Sequence, residues 1–181
     1  MRITDKLLTP NIYSRPQKPI IEVRAIVLHW FMDPGKSSKG AIDWWEKRKN
    51  GKNGYGSGHY AIDDDGILLA VPTAEIAYHV GAEEYTDFAY SYLEGKPNNY
   101  TIGVELAHGD WTGEPSLVVW NHAVELARLL CDMYSVPESR IVTHWAITGM
   151  RPYWNGKPCH KWFTTQPGEL DQFRSDVRGR R

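Results

Sequence analysis

The chain has 181 residues, a length that suits one compact domain with a sizeable core. Apolar residues make up 41% and charged residues 24%, and the net charge of −1 argues against nucleic-acid binding driven by bulk electrostatics. No apolar run approaches the ~20 residues of a membrane span, and residues 1–10 lack the apolar core of a signal peptide. We expect a single domain over residues 1–181 that is made in the cytoplasm, binds neither nucleic acid nor membranes, and is a monomer.

The first half of the chain predicts an arm followed by strands and one helix. Prolines make residues 1–22 an extended N-terminal arm. Short branched apolar runs predict strands, and an Asp-Gly pair between two of them predicts a hairpin. The predicted elements are a buried strand over Val23–Trp30, a helix over Ala41–Asn50, and hairpin strands over His59–Asp63 and Ile67–Val71.

The second half predicts two strands, two helices and two long loops. The clearest helix has apolar residues at spacings of three and four. In chain order these are a loop over Glu83–Asn99, a strand over Thr101–Ala107, a helix over Ser116–Tyr134, a strand over Ile141–Trp145, a loop over Thr148–Thr165, and a helix with a tail over 167–181. The mixture indicates an α/β fold with a central mixed sheet flanked by helices.

Two predicted strands end in the same way, at Leu28-His29-Trp30 and at Thr143-His144-Trp145. Sites in open α/β sheets form at the carboxyl ends of strands. A single histidine at such a place is most often a satisfied structural side chain. The pair is more specific, because two imidazoles at neighbouring strand ends can converge on one metal ion.

The sequence has two cysteines, too few for a disulfide-stapled scaffold. Cys131 lies on the apolar stripe of a predicted helix and is expected in the core. Cys159 lies in a loop beside Pro158, and a thiolate is a good zinc ligand. A disulfide to Cys131 and a plain buried thiol are the alternatives for Cys159.

Glu105 stands between Val104 and Leu106 in an apolar strand. Side chains alternate along a strand, so its carboxylate shares a face with Gly103 and Ala107. A carboxylate there is costly unless it is paired, hydrated or near a metal. Either it is a general base beside a metal, or it lies on the solvated face of an edge strand.

Five segments in order resemble the zinc-dependent N-acetylmuramoyl-L-alanine amidases of the amidase-2 type, which include many phage endolysin catalytic domains. Peptidoglycan recognition proteins share that fold. The resemblance covers about Val23 to Phe163. It is carried by IVLHW at Ile26–Trp30, SGHYAIDDDG at Ser57–Gly66, YHVG at Tyr78–Gly81, TIGVEL at Thr101–Leu106, and THWAITG at Thr143–Gly149 followed by GKPC at Gly156–Cys159.

The resemblance implies one zinc ion per chain, with His29, His144 and Cys159 as its ligands. It also implies that Glu105 assists the attacking water and that Lys157 stabilises the oxyanion that forms on the amide oxygen. The segment Met150–Asn155 looks inserted before the cysteine, which leaves His160 as an alternative third ligand.

The same resemblance implies a cleft that holds glycan and stem peptide. We expect its substrate-binding residues to include Trp30 and His79, with a structural role for His79 as the alternative. The inserted segment adds Tyr153 and Trp154 as an aromatic wall beside the substrate.

The expected activity is hydrolysis of the amide between N-acetylmuramic acid and L-alanine in bacterial peptidoglycan, by a phage or prophage endolysin that acts on the wall after release. Two alternatives stay open. One is a recognition module of this fold that binds muropeptides without cutting them. The other is a cytoplasmic recycling amidase acting on soluble anhydro-muropeptides.

Overall fold

A computed structural model of the chain describes residues 2–149 and 158–179. Strands and helices are interspersed along the described residues, and three single 3-10 turns lie among them. The strands are β1 (Ile3–Asp5), β2 (Ala25–Trp30), β3 (Tyr60–Asp63), β4 (Gly66–Leu69), β5 (Thr101–Leu106) and β6 (Ile141–Thr143). The helices are α1 (Ser38–Lys47), α2 (Asp87–Leu93), α3 (Leu117–Tyr134), α4 (His144–Thr148), α5 (Lys161–Thr165) and α6 (Glu169–Gly179).

In the described ranges the six strands form one sheet in the order β1-β4-β3-β5-β2-β6. The hairpin partners β3 and β4 are antiparallel, and the other neighbouring pairs are parallel. The predicted α/β class and mixed sheet are therefore confirmed. Parallel pairing places the carboxyl ends of β2, β5 and β6 at one edge of the sheet, where the two histidines were expected to meet.

The two faces of the sheet are covered by different helices. Ile26 and Leu28 of β2 belong to the larger core cluster, which includes Leu126 of α3 and Phe173 of α6. Val27, one position along, belongs to a separate cluster that includes α2 and α4 residues. This alternation follows from the two-residue period of a strand and buries β2 on both faces.

Helix boundaries follow side-chain caps. The Ser116 hydroxyl accepts from the Val119 backbone N–H at 3.1 Å and starts α3, as the sequence predicted. Three short helices were missed, and one of them, α5, lies inside the predicted 148–165 loop. The Thr86 hydroxyl caps α2 inside the predicted 83–99 loop, and Thr143 caps α4, so β6 ends two residues earlier than predicted. A serine or threonine before a short apolar stretch can indicate such a helix, but the same pattern also occurs in many loops.

The N-terminal arm is more ordered than predicted, because its first residues add strand β1 beside β4. Farther along the arm, the Arg15 guanidinium pairs with the Glu75 carboxylate at 2.8 Å. The arm therefore packs on the sheet and its loops. No helix in the described part of the chain has the length and apolarity to cross a membrane.

Candidate metal centre

The centre begins with a pair of residues on adjacent central strands. His29 of β2 and Glu105 of β5 are direct register partners in a parallel ladder. Their side chains therefore project from the same face of the sheet, opposite the face on which Leu28 and Val104 pack into the core. Because β5 lies between β3 and β2, the edge-strand alternative for Glu105 is wrong.

Three predicted ligands converge on this face. One donor atom from each of His29, His144 and Cys159 lies within 4.8 Å of the others. The Cys159 sulfur lies 3.6 Å from His29 Nδ1, and the two imidazole ring centres are 4.8 Å apart. Both cysteines are free, so the alternative disulfide to Cys131 is wrong, and Cys131 lies in the core as predicted.

The local fold explains how His144 and Cys159 reach each other. His144 is the first residue of α4 rather than the last of β6, because the Thr143 hydroxyl accepts from the Ala146 N–H at 3.3 Å. The next backbone N–H, of Trp145, donates to the carbonyl oxygen of Cys159 at 2.5 Å. That bond ties the cysteine segment to the start of the helix that carries the histidine.

The chemistry of this donor set fits zinc. Burial lowers the pKa of His29 well below its ordinary value and lowers that of His144 to about 4, so both imidazoles are neutral, the form that ligates a metal. Burial and then the nearby Glu105 carboxylate raise the pKa of the Cys159 thiol. A divalent cation acts in the opposite direction and favours the thiolate. Two imidazoles and one thiolate would leave a fourth tetrahedral position for water.

Glu105 lies beside the donor set. Its Oε1 is 3.9 Å from His29 Nδ1, and its side chain is 15% exposed. Burial raises the pKa of Glu105 to about 8. A carboxylate with a raised pKa at the edge of a cleft is suited to taking up and releasing a proton near neutral pH.

A second layer of hydrogen bonds lies behind His29. Its Nε2 is 3.0 Å from His79 Nδ1, and His79 Nε2 is 3.3 Å from the Thr101 carbonyl oxygen. The Thr101 hydroxyl in turn donates to the Pro97 carbonyl at 2.8 Å. His79 is 6% exposed at the wall of the cleft, which is consistent with the alternative structural role for this residue.

A cleft of about 950 Å³ opens from the donor set. Trp30 lines it, as predicted, and its ring lies 4.7 Å from that of His108. The sequence did not predict the wall of this cleft that is formed by Trp44, Arg48 and Tyr55. The adjacent pair Trp44-Trp45 could have indicated this wall. A helix packs one face against the core, so with Trp45 buried the neighbouring Trp44 is left exposed and can line a cleft.

The remaining predictions concern the segment before Cys159. Lys157, Tyr153 and Trp154 lie outside the described residues, as does the whole inserted segment Met150–Asn155. Within the described residues, the candidate metal group contains Cys159 and not the alternative ligand His160. The His160 ring instead lies 4.6 Å from that of Phe163.

Curated proteins are similar to the chain in sequence. Two curated relatives from Bacillus licheniformis, a probable N-acetylmuramoyl-L-alanine amidase and the N-acetylmuramoyl-L-alanine amidase CwlL, are each 28% identical to the chain. Each match covers 98% of this chain and 47% of the relative, so the chain spans about half the length of these proteins.

The fold also matches solved structures. The structure of PlyL aligns with a TM-score of 0.72 at 23% identity and covers 98% of this chain and 97% of that one. The catalytic domain of PlyG aligns with a TM-score of 0.73 at 22% identity, covering 99% and 94%. At these identities the likeness concerns the fold. A family model described as N-acetylmuramoyl-L-alanine amidase matches residues 17–168, most of the chain and all of the centre just described, and the chain belongs to that amidase-2 family.

Proposed function

We propose that the chain is a zinc-dependent hydrolase of the amide bond between N-acetylmuramic acid and L-alanine in peptidoglycan. The observation that carries this proposal is the convergence of His29, His144 and Cys159 within 4.8 Å, with the Glu105 carboxylate 3.9 Å from one of them. A module that only binds muropeptides needs neither a complete set of metal ligands nor a general base. Membership of a family described by this reaction supports peptidoglycan as the substrate class.

Each residue has a defined task in this reaction. Bound zinc would supply Lewis acidity, which activates water and polarises the scissile carbonyl. Glu105 takes a proton from the attacking water and delivers it to the departing amine of L-alanine. The buried surroundings of Glu105 raise its pKa to about 8, which strengthens the carboxylate as an acceptor of the proton of water. We assign Lys157 to the oxyanion from the family resemblance.

The cleft supplies the substrate site. Trp30 lines it next to the donor set, and we propose that Tyr153 and Trp154 extend its aromatic surface. We further propose that residues 1–181 act as one catalytic domain and as a monomer, in an endolysin of a phage or prophage that reaches the wall after release. Curated relatives about twice as long are consistent with a catalytic domain that acts within a larger protein.

The decisive experiment is mass spectrometry of purified peptidoglycan digested by the zinc-loaded protein. We expect free L-alanine amino termini and intact glycan strands, no products after chelation, and recovery of the products on adding zinc. Products with new reducing sugar ends would contradict it. Zinc binding without any products would instead indicate a recognition module, and cleavage of soluble anhydro-muropeptides but not of intact sacculi would indicate a recycling enzyme.

A further inference from the structure

The cleft extends beyond the reacting centre to a wall made by the end of α1 and the loop that follows it. The donor set and Glu105 line one part of the cavity, and Trp44, Arg48 and Tyr55 line another. A substrate that fills both parts contacts the protein well away from the bond that is cut. This second part therefore has the position of a recognition site.

Arg48 is held firmly in that wall. Its Nη1 donates to the carbonyl oxygen of Tyr55 at 3.2 Å and to that of Asn53. The guanidinium carbon lies 5.5 Å from the ring centre of Trp44. Gly56 packs so closely that a β-carbon there would lie 3.0 Å from the guanidinium carbon. The guanidinium is thus preorganised by neutral groups.

Arg48 also forms no ion pair with a carboxylate among residues 2–149 and 158–179. By contrast, Arg15 pairs with the Glu75 carboxylate at 2.8 Å and Arg24 pairs with that of Glu22 at 2.7 Å. Lys36, another cation of the cleft wall, pairs with Asp33. No carboxylate pairs with Arg48 in the described part of the chain.

Within the part of the chain that the structure describes, the Arg48 Nε is buried without a hydrogen-bond partner. Burial also lowers the pKa of this guanidinium. A partly buried cation that lacks a counter-ion is costly, and an incoming anion offsets that cost.

We propose that Arg48 binds a carboxylate of the substrate's stem peptide. A guanidinium matches a carboxylate in shape and charge, whereas the uncharged N-acetyl and hydroxyl groups of a sugar do not neutralise it. The inference rests on the proposed function for the identity of the ligand as a muramoyl peptide. It adds that the protein distinguishes stem peptides with free carboxylates from those in which the carboxylates are amidated.

The test measures binding rather than turnover, so that it does not depend on cleavage. Two muramoyl peptides of one sequence are titrated calorimetrically into the zinc-loaded Glu105→Gln variant. One peptide has free carboxyl groups, and in the other every carboxyl group is a primary amide. We expect the acid form to bind about 10- to 100-fold more tightly, the range of a charge-assisted contact.

Arg48→Gln, added to this background, should remove that preference by weakening binding of the acid form alone. Arg48→Lys keeps the charge without the fork and should retain part of the preference. Lys47→Gln makes the same charge change at an exposed neighbour that does not line the cleft, and both affinities should stay as they were.

Equal binding of the two peptides, or an equal loss for both on changing Arg48, would overturn the inference and leave Arg48 a support for the loop. Absence of any binding would overturn it too. Absence of cleavage by the unmodified protein, with the acid preference intact, would instead contradict the proposed function.

Discussion

His79 Nδ1 lies 3.0 Å from His29 Nε2 and fixes which nitrogen of His29 faces the centre. The other nitrogen, Nδ1, faces Cys159 and Glu105. With Nδ1 as the ligating atom, the Nε2–H of His29 donates to His79, whose own Nε2–H then donates to the Thr101 carbonyl. Outer hydrogen bonds of this kind orient a ligand and raise its basicity.

We therefore expect His79→Ala to weaken zinc binding by about 10- to 100-fold while the fold is retained. Competition with a chromophoric chelator measures this affinity. His122→Ala, on the far side of the sheet, is the control and should bind zinc as the unmodified chain does. A raised KM with unchanged zinc affinity would favour the predicted substrate contact of His79 instead.

Gly103→Ala should disturb the His29–His79 pair, because Gly103 lies directly against the His79 ring. A β-carbon at Gly103 would lie 2.6 Å from His79 Cγ, and both residues are buried, so the ring or the strand must shift. Overpacking of this kind costs about 1–3 kcal/mol of unfolding free energy. Chemical denaturation in excess chelator measures it. Gly109→Ala, where a β-carbon meets nothing within 4 Å, should cost much less, and equal losses at both positions would count against this explanation.

Glu105→Gln should greatly reduce activity without loss of metal. The amide has almost the same shape but accepts no proton, so the rate of amide hydrolysis should fall by about 10²- to 10⁴-fold. Zinc content should remain near one per chain. Stability should not fall, because burial already disfavours the charged form of Glu105. A variant that loses zinc together with activity would show that Glu105 serves the metal rather than the proton.

Cys159→Ser should release zinc. The hydroxyl is a far weaker ligand than a thiolate, so the affinity loss should exceed the ~10- to 100-fold expected for an outer hydrogen-bond partner. Atomic absorption after dialysis measures the remaining metal. The control is Cys131→Ala, a change at the buried core cysteine, which should keep its zinc although it loses some stability. Zinc retained by Cys159→Ser would place the third ligand elsewhere.

Acid should destabilise the protein through His59. This fully buried ring accepts the Gly103 N–H at Nδ1, and its Nε2 lies 3.0 Å from the Glu75 carbonyl oxygen. Burial lowers the pKa of His59 from 6.5 to about 4. Between these two pKa values the unfolded chain binds a proton at His59 that the folded chain does not bind. The free energy of unfolding therefore decreases as the pH falls from 6.5 to about 4.

The His59 contribution amounts to about 3 kcal/mol over that interval. His59→Gln cannot titrate and should show a correspondingly shallower loss of unfolding free energy in chelator. Denaturant titrations at several pH values compare the two slopes. Equal slopes would mean that His59 is not the titrating group.

The reacting centre could be predicted because its signals are local. His29 lies at the end of an apolar strand and Glu105 interrupts one, and strand alternation turns the Glu105 side chain to the face opposite Val104 and Leu106. Cys159 stood out because it lies beside a proline in a loop. The family segments then indicated which of these residues act together.

The supporting layer could not be predicted in the same way. His29 and His79 are fifty residues apart, and no periodicity links them. Arg48 is held in the cleft wall by the carbonyls of Asn53 and Tyr55, whose positions depend on the conformation of the loop that carries them. Helix α2 is short, and the polar residues around it indicated a loop in spite of the Thr86 cap. Such features arise from packing and not from composition.

The register between β2 and β5 constrains how this protein can change through evolution. The spacing between His29 and Glu105 is set by backbone bonds of a central parallel ladder and not by the loops on either side. Inserting one residue into β5 ahead of Glu105 would turn the carboxylate towards α3. Insertions in the cleft loops leave that spacing untouched. The loops that line the cleft can therefore change during evolution while the spacing between His29 and Glu105 stays the same.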